Sequence, residues 1–358
     1  MNLEVELIAG VVKGGPPPKN LPAPRLIKIF IAGERNEFVE ERKQLLELVG
    51  PELQSIYDDM GIEVLLVDMQ YATNTSPDKN PYLAEYFLDE IQSAYKHSRG
   101  CFLLLLVGDE YNTGWIPTKL SVESYEILLS HCSALEEYYE CNNNCYVLKA
   151  DRLETVKDDW QNVEPELKEH LKKAAESVIS EKCDNEEIRN ILKSTSEKQL
   201  EYALKFDEEG EGIISVIRTW KGKKSPKAVA SLKSLITNSL PPDNVINTEV
   251  EQKSGGINPD NRGHKGYLAH LCRLVGNRIQ SLVNASIEAD PEIKSKKKMV
   301  QEIYAESLMH LALLRDIKPC EGNENIQKIK ELLISGKSQK HGPILIKGSK
   351  YSGKSSVL

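Results

Sequence analysis

Apolar runs of strand length alternate with segments of helical periodicity in the first part of the chain. The runs are 26–32, 62–68 and 101–107. Between them, apolar residues recur every three or four positions at 38–57 and 81–97, and Gly61 and Gly100 follow as helix stops. Because each run is apolar over most of its length, the pattern predicts a parallel sheet that helices cover on both faces.

The same pattern continues to about residue 150, with a helix predicted at 121–135 and a fourth strand at 145–149. We therefore expect residues 25–150 to form one α/β domain with a flavodoxin-like winding, in which ligands bind beyond the carboxyl ends of the strands. The polar residues expected near those ends are Arg35, Asp68, Asp109, Glu110 and Tyr111. We interpret an Arg35–Asp109 contact as a structural ion pair. Trp115 either flanks this crevice or, as we prefer, packs in the core.

The chain from about residue 160 onward has a mainly helical pattern. Its longest periodic stretches are 264–288 and 297–315. Residues 213–220 (IISVIRTW) fit a strand or a buried helix, since short apolar runs do not separate the two. The predicted organisation is a flexible Pro- and Gly-rich leader at 1–24, the α/β domain at 25–150, a mainly helical connector at 151–338 and the start of a further domain at 339–358.

The composition limits the classes of function. The chain has 358 residues, enough for two or three domains, and a formal net charge of −8. An acidic chain lacks the basic face that general nucleic-acid binders and anionic-membrane binders need. The longest apolar run, 101–107, is too short to cross a bilayer, and the acidic N-terminus is unlike a secretory signal. We expect a cytoplasmic protein without a membrane span.

The cysteines point to a reducing compartment, because there are seven of them and several lie in apolar stretches. Cys141 and Cys145 are the only close pair. Without a second pair at metal-ligand spacing, we do not expect a zinc site. The basic run 294–298 (KSKKK) is interpreted as a solvated turn between helices, and the alternative is a contact with a phosphate or an acidic partner.

Residues 348–355 (GSKYSGKS) match G-x-x-x-x-G-K-[ST], the P-loop motif, and an apolar strand at 343–347 leads into them. Glycines keep side chains away, so backbone N–H groups can converge on phosphate oxygens. The expected nucleotide contacts are Gly348, Ser349, Gly353, Lys354, Ser355 and Ser356. Lys354 would reach the β- and γ-phosphates, and Ser355 would bind Mg²⁺ together with the nucleotide. The alternative is a surface turn with a chance lysine.

A P-loop NTPase also needs an apolar strand ending in Asp to hold Mg²⁺, and such a strand would follow Leu358. We therefore interpret the chain as the N-terminal piece of a larger protein that binds ATP or ADP with Mg²⁺ and hydrolyses it slowly. The chain as given is not expected to hydrolyse nucleotide by itself.

Short motifs run through the chain in a characteristic order. They are RLIKIFI (25–31), ER (41–42), PEL (51–53), IEVLLVD (62–68), VGDEY (107–111), IP (116–117), YEIL (125–128), LEEY (135–138), LEYAL (200–204) and the P-loop. In this order they resemble the N-terminal region of the NACHT and WD repeat domain-containing proteins, a branch of the STAND signalling NTPases. The likeness covers most of residues 25–358.

The resemblance implies a TIR-like domain first, a helical connector second, then a NACHT NTPase and a WD-repeat propeller. It also implies a switch, in which ADP holds a closed form while ATP exchange permits self-association and exposes the TIR-like domain to protein partners. The TIR-like domain would then act as an effector or protein-interaction module.

An alternative hypothesis makes the TIR-like domain an NAD or nucleoside N-glycosidase. Related domains carry two acids on the helix after a central strand, and only the second has a counterpart here, Glu126. Ser124 stands at the first position and supplies no carboxylate, while Glu123 points about 100° away around the helix. Glu126 is the catalytic candidate, although we interpret it as a solvated or capping acid. A scaffold with a degenerate P-loop is a third hypothesis.

Overall fold

The computed structural model describes residues 26–34, 36–71, 81–112, 115–149, 160–181, 184–252 and 256–289. All of them belong to one compact unit. Within them the strands are β1 Leu26–Gly33, β2 Glu63–Val67, β3 Leu103–Val107, β4 Lys119–Ser121, β5 Tyr139–Asn142, β6 Cys145–Leu148, β7 Ile213–Trp220 and β8 Val245–Val250.

The first helix, α1, joins Val39–Gln44, a π-helical segment Leu45–Val49 and Gly50–Tyr57. The others are α2 Leu83–His97, α3 Val122–His131, α4 Trp160–Ser180, α5 Glu186–Leu192, α6 Thr195–Leu204, α7 Lys227–Ser239 and α8 Arg262–Glu288. Short 3₁₀ segments lie at Asp58–Met60, Ser133–Glu137 and Pro242–Asn244.

A parallel sheet runs through the centre of this unit, with its described strands in the order β2-β1-β3-β7-β8. Counted among the parallel strands alone, this is 2-1-3-4-5, the doubly wound order of flavodoxin-like folds. All residues of β1 and β3 are buried. Burial on both sides is the reason that both strands are continuous hydrophobic runs in the sequence.

Helices cover the two faces of the sheet, and alternate residues of each strand face one layer or the other. Ile27, Ile29 and Ile31 of β1 pack in a core with α1 and α8. Phe30 and Ala32 pack on the opposite side with α2, α6 and α7. Each fully buried large apolar side chain contributes about 1.5–3 kcal/mol, so these two layers supply most of the drive to fold.

The described residues 116–149, 160–181 and 184–192, termed the insertion, form a separate layer and lie between β3 and α6 in the chain. β4, β6 and β5 make a small antiparallel sheet there. Helices α3, α4 and α5 pack on it around a third hydrophobic core. Tyr125 of α3 stacks on Tyr146 of β6 with ring centroids 3.6 Å apart.

The structure confirms the strands predicted at 26–32, 62–68 and 101–107, the helices between them, and the helix predicted at 264–288. The helix predicted at 121–135 is shorter, since α3 ends at His131 and a 3₁₀ segment follows. The run 213–220 is a strand. The helix predicted at 297–315 lies outside the described residues.

The prediction of 145–149 as a fourth parallel strand is wrong. Cys145–Leu148 pairs antiparallel with β5 through a turn in which Asn143 and Asn144 have φ of 44° and 69°, the backbone of a tight two-residue hairpin. The fourth and fifth parallel strands are β7 and β8. A sheet confined to 25–150 therefore does not match the structure, because two strands come from the segment expected to be a mainly helical connector, 151–338.

Candidate functional site

The carboxyl edge of the parallel sheet is where doubly wound folds bind ligands, at the point where strand order reverses. In this sheet that point lies between β1 and β3. Asp68 follows β2 at this edge, and Asp109, Glu110 and Tyr111 follow β3, as the sequence predicts. Arg35 lies outside the described residues.

The Glu37 carboxylate accepts hydrogen bonds from the backbone amides that follow β3. Its Oε1 accepts hydrogen bonds from the backbone N–H groups of Asp109 and Glu110, the second at 3.3 Å. Only 5% of its side chain is exposed. Gly108 permits this approach, because a Cβ there would lie 1.9 Å from Glu37 Oε1. Burial raises the pKa of Glu37 above its ordinary value of 4.5, although the amides and Arg218 act in the opposite direction.

Arg218 of β7 places a positive charge beside Glu37. Its Nη1 donates to Glu41 Oε1 at 2.7 Å and to the Glu37 carbonyl at 2.8 Å. Its Nη2 lies 3.4 Å from Glu37 Oε1. The guanidinium also lies over the rings of Phe38 and Trp220, 4.3 and 4.4 Å from their centroids. The position of Arg218 is therefore fixed by charge and by aromatic packing together.

Tyr267 extends this network to α8. Its hydroxyl donates to Glu41 Oε1 at 3.1 Å, and burial together with the Glu41 charge raises the pKa of Tyr267, so the hydroxyl keeps its proton. The side chains of Arg218 and Glu41 are 2% and 1% exposed. Loss of either one would leave a buried charge without its partner.

A second buried ion pair holds α1 to the ends of β1 and β2. Arg42 Nη1 lies 2.6 Å from Asp68 Oδ2, and Arg42 Nη2 donates to the Gly33 carbonyl at 3.2 Å. Asp68 Oδ1 accepts from the backbone N–H groups of Gln70 and Tyr71 at 2.8 and 3.1 Å. Both carboxylate oxygens of Asp68 are thus engaged in structural contacts.

Helix α6 bonds to the ends of β1 and β3 from the other face of the sheet. The Tyr111 hydroxyl donates to Glu197 Oε2 at 2.5 Å, and burial followed by this bond raises the pKa of Tyr111. Gln199 Oε1 accepts from the Gly33 N–H at 3.1 Å. The Ser194 hydroxyl caps α6 by accepting from the Glu197 N–H. These contacts close the α6 side of the edge with the protein's own groups.

The Asp109 side chain pairs with α7. Its Oδ1 accepts from the Ser225 hydroxyl at 2.7 Å and lies 3.1 Å from Lys233 Nζ. The predicted Arg35–Asp109 contact remains a prediction, because Arg35 lies outside the described residues.

The interpretation of Trp115 as core packing is confirmed, since its side chain is 8% exposed and its ring meets Phe87 edge-on, with the ring centroids 5.9 Å apart.

The glycosidase candidate Glu126 lies on α3 of the insertion, where its side chain is exposed, as is that of Glu123. Ser124 is buried and accepts a hydrogen bond from Asn185 Nδ2 at 3.1 Å. Ser124 stands where the glycosidase hypothesis would need its first acid. Its hydroxyl instead joins α3 to the start of α5. The hydrogen bonds from this face of the sheet to the ends of β1 and β3 come from α6, which follows the insertion.

The Cys141–Cys145 pair offers no shared site, because the two residues lie on opposite faces of their hairpin. Cys141 pairs with Tyr146 and Cys145 with Asn142, and successive strand residues alternate between faces. Among the residues that the structure describes, no group of three or more His, Cys, Asp or Glu side chains could hold a metal ion.

The P-loop residues Gly348, Ser349, Gly353, Lys354, Ser355 and Ser356, and the basic run 294–298, lie outside the described residues. In the described part of the chain, no helix has the length and apolar character to cross a membrane.

Sequence reasoning missed Glu37, Glu41 and Arg218. One signal was present, since Arg218 stands inside the apolar run 213–220 and a charge in a buried strand requires a buried partner. Nothing marked Glu37, because an acid in a polar turn is ordinarily solvated.

The fold and this edge define a doubly wound α/β protein with an insertion, in which the protein's own side chains occupy the carboxyl ends of β1, β2 and β3. The chain is similar to NACHT and WD repeat domain-containing protein 2 of Homo sapiens and of Mus musculus, at 24% and 23% identity over 212 residues. These matches cover 51% of this chain and 12% of each relative.

The chain is also similar to human NACHT domain- and WD repeat-containing protein 1, at 22% identity over 340 residues, which is 83% of this chain and 21% of the relative. It therefore spans about a fifth or less of the length of these curated relatives. Identities at this level support a distant relationship to NACHT and WD repeat-containing proteins. No protein-family model and no solved structure matches the chain.

Proposed function

We propose that this chain is part of a NACHT-type signalling protein of the cytoplasm, in which residues 348–356 bind ATP with Mg²⁺ and the TIR-like α/β core contacts protein partners. The names of the relatives and the P-loop motif support the nucleotide-binding part. The observation that carries the second part is the Glu37 carboxylate on the amides of Asp109 and Glu110. A phosphate-bearing ligand would need those donors.

The charged side chains at the carboxyl edge also favour a role in binding protein partners over a role in catalysis. A catalytic acid or base must be able to reach substrate, but Asp68 is paired with Arg42 and Asp109 with Lys233. Glu126, the glycosidase candidate, lies in the insertion. We therefore rank the interaction module above an NAD or nucleoside N-glycosidase.

The nucleotide part is tested by Mg-ATP binding to a polypeptide that carries this chain together with a complete nucleotide-binding domain. Lys354→Ala removes the ammonium expected at the β- and γ-phosphates and should abolish binding. Lys350→Ala, at a position that the motif leaves open, is the matched control and should keep it. Retained affinity in Lys354→Ala would refute the nucleotide proposal.

The alternative, an NAD or nucleoside N-glycosidase, is tested by incubating the chain with NAD at high protein concentration and measuring nicotinamide release. We expect none above the buffer blank. Release that Glu126→Gln abolishes would establish the glycosidase in place of the interaction module.

A further inference from the structure

Helix α6 carries Lys198 on the face along which the ion pair between Lys193 and Glu201 runs. Ser194 begins this helix as its N-cap, and residues 194, 198 and 201 share one face because they lie three or four positions apart. Lys193 Nζ lies 2.7 Å from Glu201 Oε2, so this ion pair passes beside Lys198. The Lys198 side chain is itself partly buried.

Helix α4 of the insertion supplies a further lysine, Lys168, whose charge also acts on Lys198. Lys168 Nζ lies 2.5 Å from Glu164 Oε1, and the two side chains are 24% and 13% exposed. Lys168 and Lys193 thus each have a carboxylate as partner. Within the part of the chain that the structure describes, the Lys198 ammonium forms neither an ion pair nor a hydrogen bond. We term Lys168, Lys193 and Lys198 the lysine cluster.

The surroundings of Lys198 favour its neutral amine. Burial, followed by the charges of Lys168 and Lys193, lowers the pKa of Lys198 to about 8. Glu197 and Glu201 act in the opposite direction, but more weakly. At about pH 7.4 roughly a fifth of the amine is then unprotonated, against about 0.1% for an ordinary lysine. The neutral amine, unlike the ammonium, has a lone pair that can attack an electrophilic carbon.

We propose that Lys198 is a CO₂-binding site, at which the amine forms a carbamate whose carboxylate is held by Lys168 and Lys193. The nitrogen lone pair forms an N–C bond with CO₂, one C–O π bond opens to give the negatively charged oxygen, and an N–H proton passes to solvent. CO₂ fits better than a larger acyl donor because its product is an anion, which two neighbouring ammonium groups stabilise. An amide at the same place would be neutral.

The carbamate joins the insertion to the core, since Lys168 belongs to α4 and Lys198 to α6. CO₂ should therefore stabilise the folded chain, because a ligand that binds only the folded state adds to the free energy of unfolding. This inference does not depend on the nucleotide-binding or partner-binding proposals.

The test is chemical trapping of the carbamate on the full chain. The protein is equilibrated with ¹³C-labelled bicarbonate and CO₂ at about pH 7.4, alkylated with triethyloxonium ion, and digested for mass spectrometry. The labelled adduct should be at least about tenfold more abundant on Lys198 than on Lys265, an exposed lysine of α8. Absence of the adduct from Lys198, or equal labelling of Lys265, would overturn the proposal.

Two variants test the neighbouring cations. Lys168→Met and Lys193→Met each remove a charge that lowers the pKa of Lys198 and pairs with the carbamate, so each should reduce labelling at least about threefold. The matched control is Lys173→Met, which breaks an exposed ion pair of the same spacing on α4 and should label like the wild type. Circular dichroism checks that every variant is folded. Unchanged labelling in both cluster variants, or an equal loss in the control, would contradict the proposal.

A second measurement separates the covalent carbamate from simple binding of bicarbonate ion. Thermal unfolding is followed in CO₂ and bicarbonate, and in chloride of equal ionic strength. The wild type should unfold at a higher temperature in bicarbonate. Lys198→Arg, whose guanidinium stays protonated, should lose this difference. A difference that persists in Lys198→Arg would mean that bicarbonate binds as an ion at another place, and the proposed link between α4 and α6 would fail.

Discussion

The parallel-sheet core and the insertion both bury a hydrophobic core, but they differ in the charged groups that they bury. The core buries ion pairs that join distant parts of the chain, such as Arg218 with Glu41 and Arg42 with Asp68. The insertion has an apolar and aromatic core, and its described ion pairs are all at least partly exposed: Arg189–Asp184 at 51% and 80%, and Lys168–Glu164 at 24% and 13%. Buried charges of defined geometry fix one arrangement of α1, β7 and α8, whereas an apolar core tolerates repacking.

This difference predicts where the molecule is sensitive to change. A buried charge that loses its partner costs more than a trimmed apolar side chain, and an exposed ion pair contributes little. The carboxyl edge should therefore respond to substitution as one connected network, while the insertion should respond locally.

The largest effect is expected for Arg218→Ala. It leaves the carboxylates of Glu37 and Glu41 buried without their cation, and should lower the free energy of unfolding by about 3–5 kcal/mol. Urea unfolding measures this loss. Arg189→Ala in the insertion is the matched control and should cost at most about 1 kcal/mol, because its ion pair is exposed. Equal losses in the two variants would contradict the comparison.

The next effect is expected for Leu171→Ala in the insertion. Leu171 is 1% exposed in the third core, and a Leu to Ala change in such a site costs about 2–5 kcal/mol. Hydrogen exchange should show faster exchange in α3 and α4, with β1 and β3 unchanged. Equal loss of protection in β1 and β3 would show that the insertion and the sheet unfold as one unit.

A smaller effect is expected for Gly108→Ala, since the new Cβ displaces the Glu37 carboxylate from the two amides. Leaving these donors unsatisfied should cost about 1–3 kcal/mol. Gly266→Ala on α8 is the control, because a Cβ there meets no atom within 4 Å. It should be neutral or stabilising by up to about 1 kcal/mol. Chemical denaturation of both variants measures the change in the free energy of unfolding. An unchanged denaturation midpoint in Gly108→Ala would contradict the prediction.

The smallest effect is a pH dependence that Glu37 imposes. Its folded-state pKa lies above the ordinary 4.5, so its contribution to stability is present below that value and is lost as pH rises through the raised pKa. Glu37→Gln lacks this loss. The free energy of unfolding of the variant minus that of the wild type should therefore increase from about pH 4 to about pH 7. A difference that is constant or falls with pH would show that burial does not dominate at Glu37.

Much of the core could be predicted from the sequence because its central strands, β1 and β3, are buried on both faces. Their runs are apolar apart from Lys28, the edge strand β2 is apolar after Glu63, and the helices that follow show their period. The fourth strand was placed wrongly, since Cys145–Leu148 is also short and apolar and only pairing distinguishes it from β7. An insertion between β3 and α6 leaves no mark in local periodicity.

Part of the candidate site could likewise be predicted from the sequence, and part could not. The positions of Asp68, Asp109, Glu110 and Tyr111 follow from the rule that strand ends meet at one edge. Their partners could not be predicted, because Lys233 and Glu197 come from helices more than 80 residues further along the chain. The role of Glu37 depends on the space that Gly108 leaves, which is a tertiary property.

The central claim is that the amides at the end of β3 are occupied by the protein's own carboxylate. The most direct measurement is hydrogen exchange of the Asp109 and Glu110 amides with and without NAD. We predict that both amides are protected in the wild type, that NAD does not change this protection, and that Glu37→Ala removes it. Amides that are unprotected in the wild type, or that gain protection with NAD, would contradict the account.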